Sequence, residues 1–280
     1  YRKMFNGRDV VYCYDGSFDG LLCCVFESFV RRETPLGVVG GAQEQLTLSD
    51  TLYVPTVPER AARVAEAVPK KISPRVWELM RITFLTFGED KDLLILKYLQ
   101  KGFKVGGAIE NMLADNTVNA LNKAVLHCTN EAHRMKQFIR FSDFDGYLAA
   151  VIEPKNKVIP LIADHFTDRY RNENFLIYDE THRMALVYRS HRAEIVYDIS
   201  FEMPAASAEE ERYRELWKGF YDTIAIKERY NPRCRMTMMP KRYWGHMTEF
   251  SMNEFAENDK KPAAGSIGVK QALPPDVTPE

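Results

Sequence analysis

The chain has 280 residues, 45% of them hydrophobic and 28% charged, and its formal net charge is -1. Those values suit a globular protein with a sizeable core, arranged as one large domain or two small ones. They exclude a global electrostatic pull toward nucleic acid or an anionic membrane, so any basic site has to be local.

In chain order, Val10 to Tyr14 reads as a short strand, broken by Asp15-Gly16-Ser17. Ser17 can cap a helix whose buried face is Leu21, Leu22, Val25, Phe26, Phe29 and Val30, spaced at helical period. Thr34-Pro35 is expected to end that helix, Gly37 to Gly41 to form a loop, and Leu46 to Val54 to hold a further strand. A run of helices follows. Pro58 opens the first. Ser73-Pro74 is an N-cap with proline at the first helical position, ahead of a stripe of Trp77, Met80 and Phe84 and a stop at Gly88. Asp90 starts the next, with Leu93, Leu96 and Leu99, and Asn116 caps another carrying Val118, Leu121 and Val125.

From about Met135 the period changes. Phe138 to Phe141, Tyr147 to Ile152, Phe175 to Tyr178, Met184 to Tyr188 and Ile195 to Ile199 are short and rich in aromatic and β-branched residues. Asp145-Gly146, Pro154 with Asn156, and Asp179 to His182 separate them as turns, which predicts an antiparallel sheet. One helix, about Ile162 to Tyr170, crosses it. Ser207-Ala208-Glu209-Glu210 is a capping-box pattern opening a helix with a core stripe of Tyr213, Leu216, Trp217, Phe220 and Ile224. Asn231-Pro232 is expected to end it. The fold class read from this pattern is α+β. A single unit is expected over residues 1–256, mainly helical over 1–133, an antiparallel sheet over 134–203, and helical with basic and aromatic residues over 204–256. Residues 257–280, rich in proline, glycine, lysine and alanine, read as a disordered tail.

The five cysteines, Cys13, Cys23, Cys24, Cys128 and Cys234, are odd in number and irregular in spacing, which points to a reduced, cytoplasmic setting and not a disulfide framework. The apolar stretch from Leu21 to Val30 follows Asp15 and Asp19 and is cut by Glu27, so a core helix is expected there and not a signal peptide. No uninterrupted apolar run is long enough to span a bilayer, so no membrane partner is expected. No CxxxCxxC trio is present for a radical-enzyme iron–sulfur cluster, no Walker loop follows Gly37, Gly40 and Gly41, and neither HExxH nor paired CxxC motifs supply zinc. No cofactor and no metal are expected.

The densest local signal is Lys227 to Trp244. It holds Arg229, Arg233, Arg235, Lys241 and Arg242 with Glu228 as its one acid, and Tyr230, Tyr243 and Trp244 lie among them. Cations can neutralise phosphates and flat rings can stack on exposed bases. The plainer alternative is a solvated basic segment with Trp244 in the core. On a helix, His165 and Arg169 share one face, as do Asp164 and Asp168. His165 could act as a general base with Arg169 holding a phosphate, and surface ion pairing is the plainer reading. His127, Cys128, Glu131 and His133 are too poorly spaced for one metal site. Asp143 and Asp145 suit a hairpin turn, and Asp15 and Asp19 flank a helix start.

Three stretches together resemble a known family: Tyr14-Asp15-Gly16-Ser17-Phe18-Asp19-Gly20; Asp164 to Tyr170 followed by Ile177-Tyr178-Asp179; and Leu216 to Tyr221, then Arg229-Tyr230-Asn231-Pro232 and Met239 to Trp244. The family is an uncharacterised bacterial group assigned to DNA metabolism and DNA repair. It is encoded beside a radical S-adenosylmethionine (radical SAM) protein and is fused in some members to a uracil-DNA glycosylase domain. The resemblance runs to about Phe250, and the stand-alone form is expected. Arg233-Cys234-Arg235-Met236-Thr237-Met238 is less basic than the family pattern. The resemblance implies an accessory factor that binds DNA and the radical SAM protein, with a uracil-DNA glycosylase as a further associate. It brings no established catalytic residues. The alternatives are a DNA-processing nuclease or lyase using His165, Asp164 and Asp168, or an assembly subunit without DNA contact.

Overall fold

The structure, a computed structural model, describes residues 6–41, 49–229 and 231–251, and its fold is α+β. The tail expected over 257–280 lies outside the described residues, as does Tyr230. The N-terminal part is helical around a small parallel sheet. β1 (Asn6–Tyr14) runs into α1 (Phe18–Arg31), capped as predicted by Ser17, whose side chain accepts from the Gly20 amide. Arg32, at φ 55°, ends α1, and the chain enters β2 (Glu33–Gly40) at once.

Thr34-Pro35 and, of the expected glycine loop, Gly37 to Gly40 are therefore strand. Proline is tolerated because β2 is an edge of the order β2-β1-β3, with β3 at Asp50–Tyr53. Both pairings with β1 are parallel. A Cβ on Gly40 would sit 2.8 Å from the Tyr14 ring, so glycine here permits close packing, a reason that turn statistics do not contain.

α1 and α4 (Lys91–Val105) lie against this sheet, and α2 (Pro58–Lys71) and α3 (Pro74–Phe84) pack onto those helices. Ser73 caps α3 as expected, accepting from the Val76 amide at 3.0 Å. A 3-10 turn, Gly106–Asn111, leads to α5 (Asn116–Phe138), whose cap is Asp115, one residue before the expected Asn116. The expected strand from Phe138 to Phe141 does not form. α5 continues to Phe138 because Ala132, Met135 and Phe138 keep helical spacing and fill a second core.

That second core lies under a five-stranded sheet of order β4-β5-β6-β7-β8. Its strands are β4 (Ser142–Phe144), β5 (Tyr147–Ile152), β6 (Asn174–Asp179), β7 (Met184–Arg189) and β8 (Arg192–Tyr197). Asp145 and Gly146, both at positive φ, make the β4–β5 hairpin turn. The crossing helix α6 (Ile159–Arg169) makes the β5–β6 pair parallel, and the other pairs are antiparallel.

After β8 come α7 (Ala208–Ile224), a 3-10 turn at Lys227–Arg229, α8 (Pro232–Met238), a 3-10 turn at Lys241–His246, and α9 (Thr248–Ser251). Ser207 caps α7, and its Glu210 is buried. The helix stops at Ile224, and Asn231-Pro232 instead starts α8. The core stripe expected on α7 is not core: Tyr213, Leu216, Trp217, Phe220 and Ile224 are all exposed. The periodicity was real, but the helix buries its Glu210 and Tyr221 side.

Two hydrophobic clusters result. One gathers the small sheet with α1 to α4, and the other gathers the large sheet with α6 and the C-terminal turns. α5 supplies Val118 and Leu121 to the first and Ala132, Met135 and Phe138 to the second.

Candidate functional site

Where the two clusters meet, α5 presents Glu131, 1% exposed, to the loop between β5 and α6. Its Oε1 accepts from the Lys155 amide at 3.1 Å and from Arg242 Nη2 at 2.8 Å, and its Oε2 accepts from the Asn156 amide at 2.8 Å and from Asn156 Nδ2 at 2.6 Å. The Tyr243 hydroxyl donates to Oε1 at 3.2 Å. Burial alone pushes this carboxyl up, but the Asn156 and Lys155 donors and the Arg242 guanidinium outweigh it and hold it below its ordinary value. The Tyr243 phenol is pushed up, first by burial and then by the Glu131 charge.

Asn156, fully buried, passes this order outward. Its Nδ2 is 3.0 Å from His127 Nδ1, so the amide donates and the neutral ring carries its proton on Nε2. Its Oδ1 accepts from the Phe87 amide at 3.2 Å. The Lys157 amide donates to the Leu85 carbonyl at 2.9 Å, closing the same seam. The outcome is an aromatic ring held by its own backbone and facing solvent: Phe87 is 58% exposed. The His127 ring lies 5.3 Å from it at 56°, and Lys155 Nζ is 5.8 Å from its centroid. Arg242 shares Glu131 Oε1 with the Lys155 amide, whereas the exposed Lys241 places its Nζ 5.6 Å from the Trp244 ring. Chemically this face offers a flat apolar surface beside the exposed cations Lys155 and Arg242, a combination that can stack a planar group and neutralise an anion attached to it.

The basic segment expected to bind nucleic acid divides into two kinds of residue. Arg229, Arg233 and Lys241 are exposed. Arg235 is half-buried, its guanidinium 5.0 Å from the Trp244 ring and 5.3 Å from Phe250, and Arg242 is the partner of Glu131. Tyr243 and Trp244 are core residues. Trp244, 2% exposed, stacks on Phe250 at 4.6 Å and donates Nε1 to the Met239 carbonyl at 3.0 Å. Neither ring presents a face to a base, and the plainer reading of Trp244 is the one the fold adopts. Sequence cannot separate the two cases, because an aromatic between cations looks the same whether it points in or out.

On α6, Asp164, Asp168 and Arg169 are exposed and His165 is half-buried. The His165 ring meets Phe166 edge-on at 5.1 Å, and burial, then Lys136 and Arg169, lower its pKa. Asp168 lies 3.6 Å from Arg171, and Arg169 sits over Tyr170 at 5.9 Å. None of the four hydrogen-bonds to Glu131, Asn156 or Arg242. The cluster of His127, Cys128, Glu131 and His133 disperses. Burial pushes the Cys128 thiol up to about 12, and His133 bonds Gln137 at 2.9 Å. Among the described residues no three His, Cys, Asp or Glu side chains converge on a metal position. No described helix is long and apolar enough to cross a membrane.

Sequence reasoning missed Phe87, Lys155 and Asn156. Their one signal was a bulky aromatic at a predicted helix stop, Phe87-Gly88, where a loop residue has no periodic reason to be apolar. Residues 89–249 match the model of a family described as a domain of unknown function, DUF4130. The match takes in Glu131, His127, Lys155, Asn156 and Arg242. No curated protein and no solved structure matches the chain.

Proposed function

The chain belongs to the DUF4130 family, and on that premise we propose that it is an accessory protein of DNA metabolism that holds a nucleic-acid strand on the face made by Phe87, His127, Lys155 and Arg242. The observation that carries this reading is the Phe87 ring, exposed to solvent yet fixed by its amide to the buried Asn156, with Lys155 beside it. An exposed ring of this kind favours an unstacked base, so single-stranded or locally opened DNA is the expected ligand. The cooperation with a radical SAM protein, and an association with a uracil-DNA glycosylase, rest on the sequence resemblance alone.

Because the net charge is -1, binding has to come from a local basic face and not from the molecule at large. About two phosphate contacts on a single strand, from Lys155 and Arg242, give a slope of log K against log salt of about −1.4. Fluorescence anisotropy of labelled single-stranded, duplex and uracil- or mismatch-containing DNA over a salt series is the test. Phe87→Ala is expected to weaken single-strand binding roughly tenfold, since a base stacked on an aromatic ring contributes about 1–3 kcal/mol. Lys155→Ala is expected to reduce the salt slope by about one contact. Wild-type protein that leaves every DNA unbound at low salt would overturn the reading.

A further inference from the structure

We propose that the five-stranded sheet carries a second surface for the phosphates of a nucleic-acid strand, on the face turned away from α6, with Arg189 and Arg192 as its anion contacts. Side chains alternate along a strand, and Phe175, Ile177, Leu186 and Tyr188 fill the core on the α6 side. Leu176, Tyr178, Val187 and Arg189 therefore point to the other face. The segment after β8 folds back over one end of that face. There the Tyr178 hydroxyl donates to the Ile199 carbonyl at 3.2 Å, and the Tyr178 and Phe201 rings meet edge-on at 5.7 Å. The opposite end carries one row across the sheet. The register sets Phe144 opposite Tyr147, Tyr147 opposite Asn174, and Arg189 opposite Arg192. Asn174 Oδ1 accepts from the Ser190 amide at 3.2 Å, which joins the two parts of the row. Phe144, Tyr147 and Asn174 are half-buried, and both arginines are exposed.

The arginine pair selects the ligand. Arg189 and Arg192 flank a two-residue turn, Ser190 and His191, at φ 50° and 62°. Residues directly opposite in an antiparallel pair project to the same side with Cβ atoms about 5 Å apart, and like charges placed so repel. The fold supplies nothing to offset this. Glu194 is the one acid among the strand residues of this face, and Asp145 lies in the adjoining β4–β5 turn. Among the described residues no carboxylate comes within ion-pair distance of either arginine. An anion held between the two guanidinium groups removes the repulsion, and their planar forks match the oxygens of a phosphate. The row then continues into rings. Burial pushes the Tyr147 phenol up, and the charge of Arg189 reaches it and pulls it back. Rings beside two cations suit a ligand that joins a planar group to a phosphate, which an acidic peptide does not. Sheets hold single strands in this way, with bases against aromatic strand residues and the backbone on neighbouring cations.

This inference rests on the strand-holding reading and adds two phosphate contacts to those of Lys155 and Arg242. Tyr147 opens β5 and Lys155 follows its end, so the length of that six-residue strand, about 20 Å, separates the two surfaces. Anisotropy of labelled oligothymidylate over a salt series tests it. The slope of log K against log salt is expected to steepen from about −1.4, for the Phe87 face alone, to about −2.8. Arg189→Gln with Arg192→Gln is expected to return it to about −1.4 and to weaken binding about 25-fold at 0.1 M salt. Arg192→Glu separates binding from folding. It sets an opposite charge against Arg189, so the melting temperature is expected to hold or rise while the slope falls as in the double variant. A wild-type slope near −1.4, or a double variant that binds as wild type does, overturns this surface and leaves the Phe87 face standing. Loss in the double variant with none in Phe87→Ala keeps this surface and removes that one. Wild type that binds no oligothymidylate at low salt overturns both. Polyglutamate that binds as tightly as the DNA, and is released by the same double variant, makes this an acidic-peptide site and also overturns the proposal.

Discussion

At the scale of single residues, Glu131 carries the most consequence. It satisfies two backbone amides, the Asn156 side chain, Arg242 and the Tyr243 hydroxyl, so removing its charge strands several donors at once. Glu131→Gln is expected to destabilise the fold by about 3–5 kcal/mol, the usual cost of breaking a buried charge pair from one side. The pH dependence has a definite sign. The folded pKa of Glu131 is depressed, so its contribution is fully present above the unfolded value of about 4.3 and is lost as pH falls through the folded value. In urea unfolding, the gap between wild type and Glu131→Gln is therefore expected to hold steady near neutrality and to shrink below about pH 4.3. A gap that stays constant into acid would show that Glu131 is not ionised in the fold. The residue was visible in the sequence only as one of a clump with His127 and His133. Its true partner, Asn156, lies 25 positions away and read as nothing more than a turn.

At the scale of elements, the signals that decide structure locally were legible. Ser17, Ser73 and Ser207 cap α1, α3 and α7, because a hydroxyl that accepts from a first-turn amide needs no tertiary context. Ser73 does more than cap, since its hydroxyl also donates to Glu110 at 2.6 Å. Ser73→Ala is expected to cost about 1–2 kcal/mol, read from the midpoint of chemical unfolding, and an unchanged midpoint would contradict the role of the cap. The stripe on α7 was legible as a stripe, but periodicity says only that a helix has an apolar side. Whether that side meets this chain's own core is decided by which other contacts anchor the helix, and here Glu210, Trp217 and Tyr221 do so. The Gly37 to Gly41 stretch failed for the opposite reason. Its local chemistry says turn, and only the partner strand β1 makes Gly37 to Gly40 part of β2.

At the scale of the whole molecule, two hydrophobic clusters share one helix, and the candidate face sits on their junction. α5, with 23 residues and hence about 34 Å long, enters both clusters. Phe87 comes from the loop before α4, Lys155 and Asn156 come from the loop after β5, and His127 lies on α5 between them. A ligand spanning these residues therefore touches both halves, the arrangement in which binding sites commonly form between packed units. If α5 and the bonds from Asn156 to Phe87 and from Lys157 to Leu85 make the halves cooperative, a lesion in one must be felt in the other. Leu96, fully buried in the first cluster, provides it: Leu96→Ala is expected to cost about 2–5 kcal/mol. Native-state hydrogen exchange should then show lowered protection for the amides of Phe175, Ile177 and Leu186 in β6 and β7, far from the cavity, by an amount close to that in α4. If those strands keep wild-type protection, the halves unfold separately. The candidate face would then be a junction that its ligand, and not the fold, has to hold together.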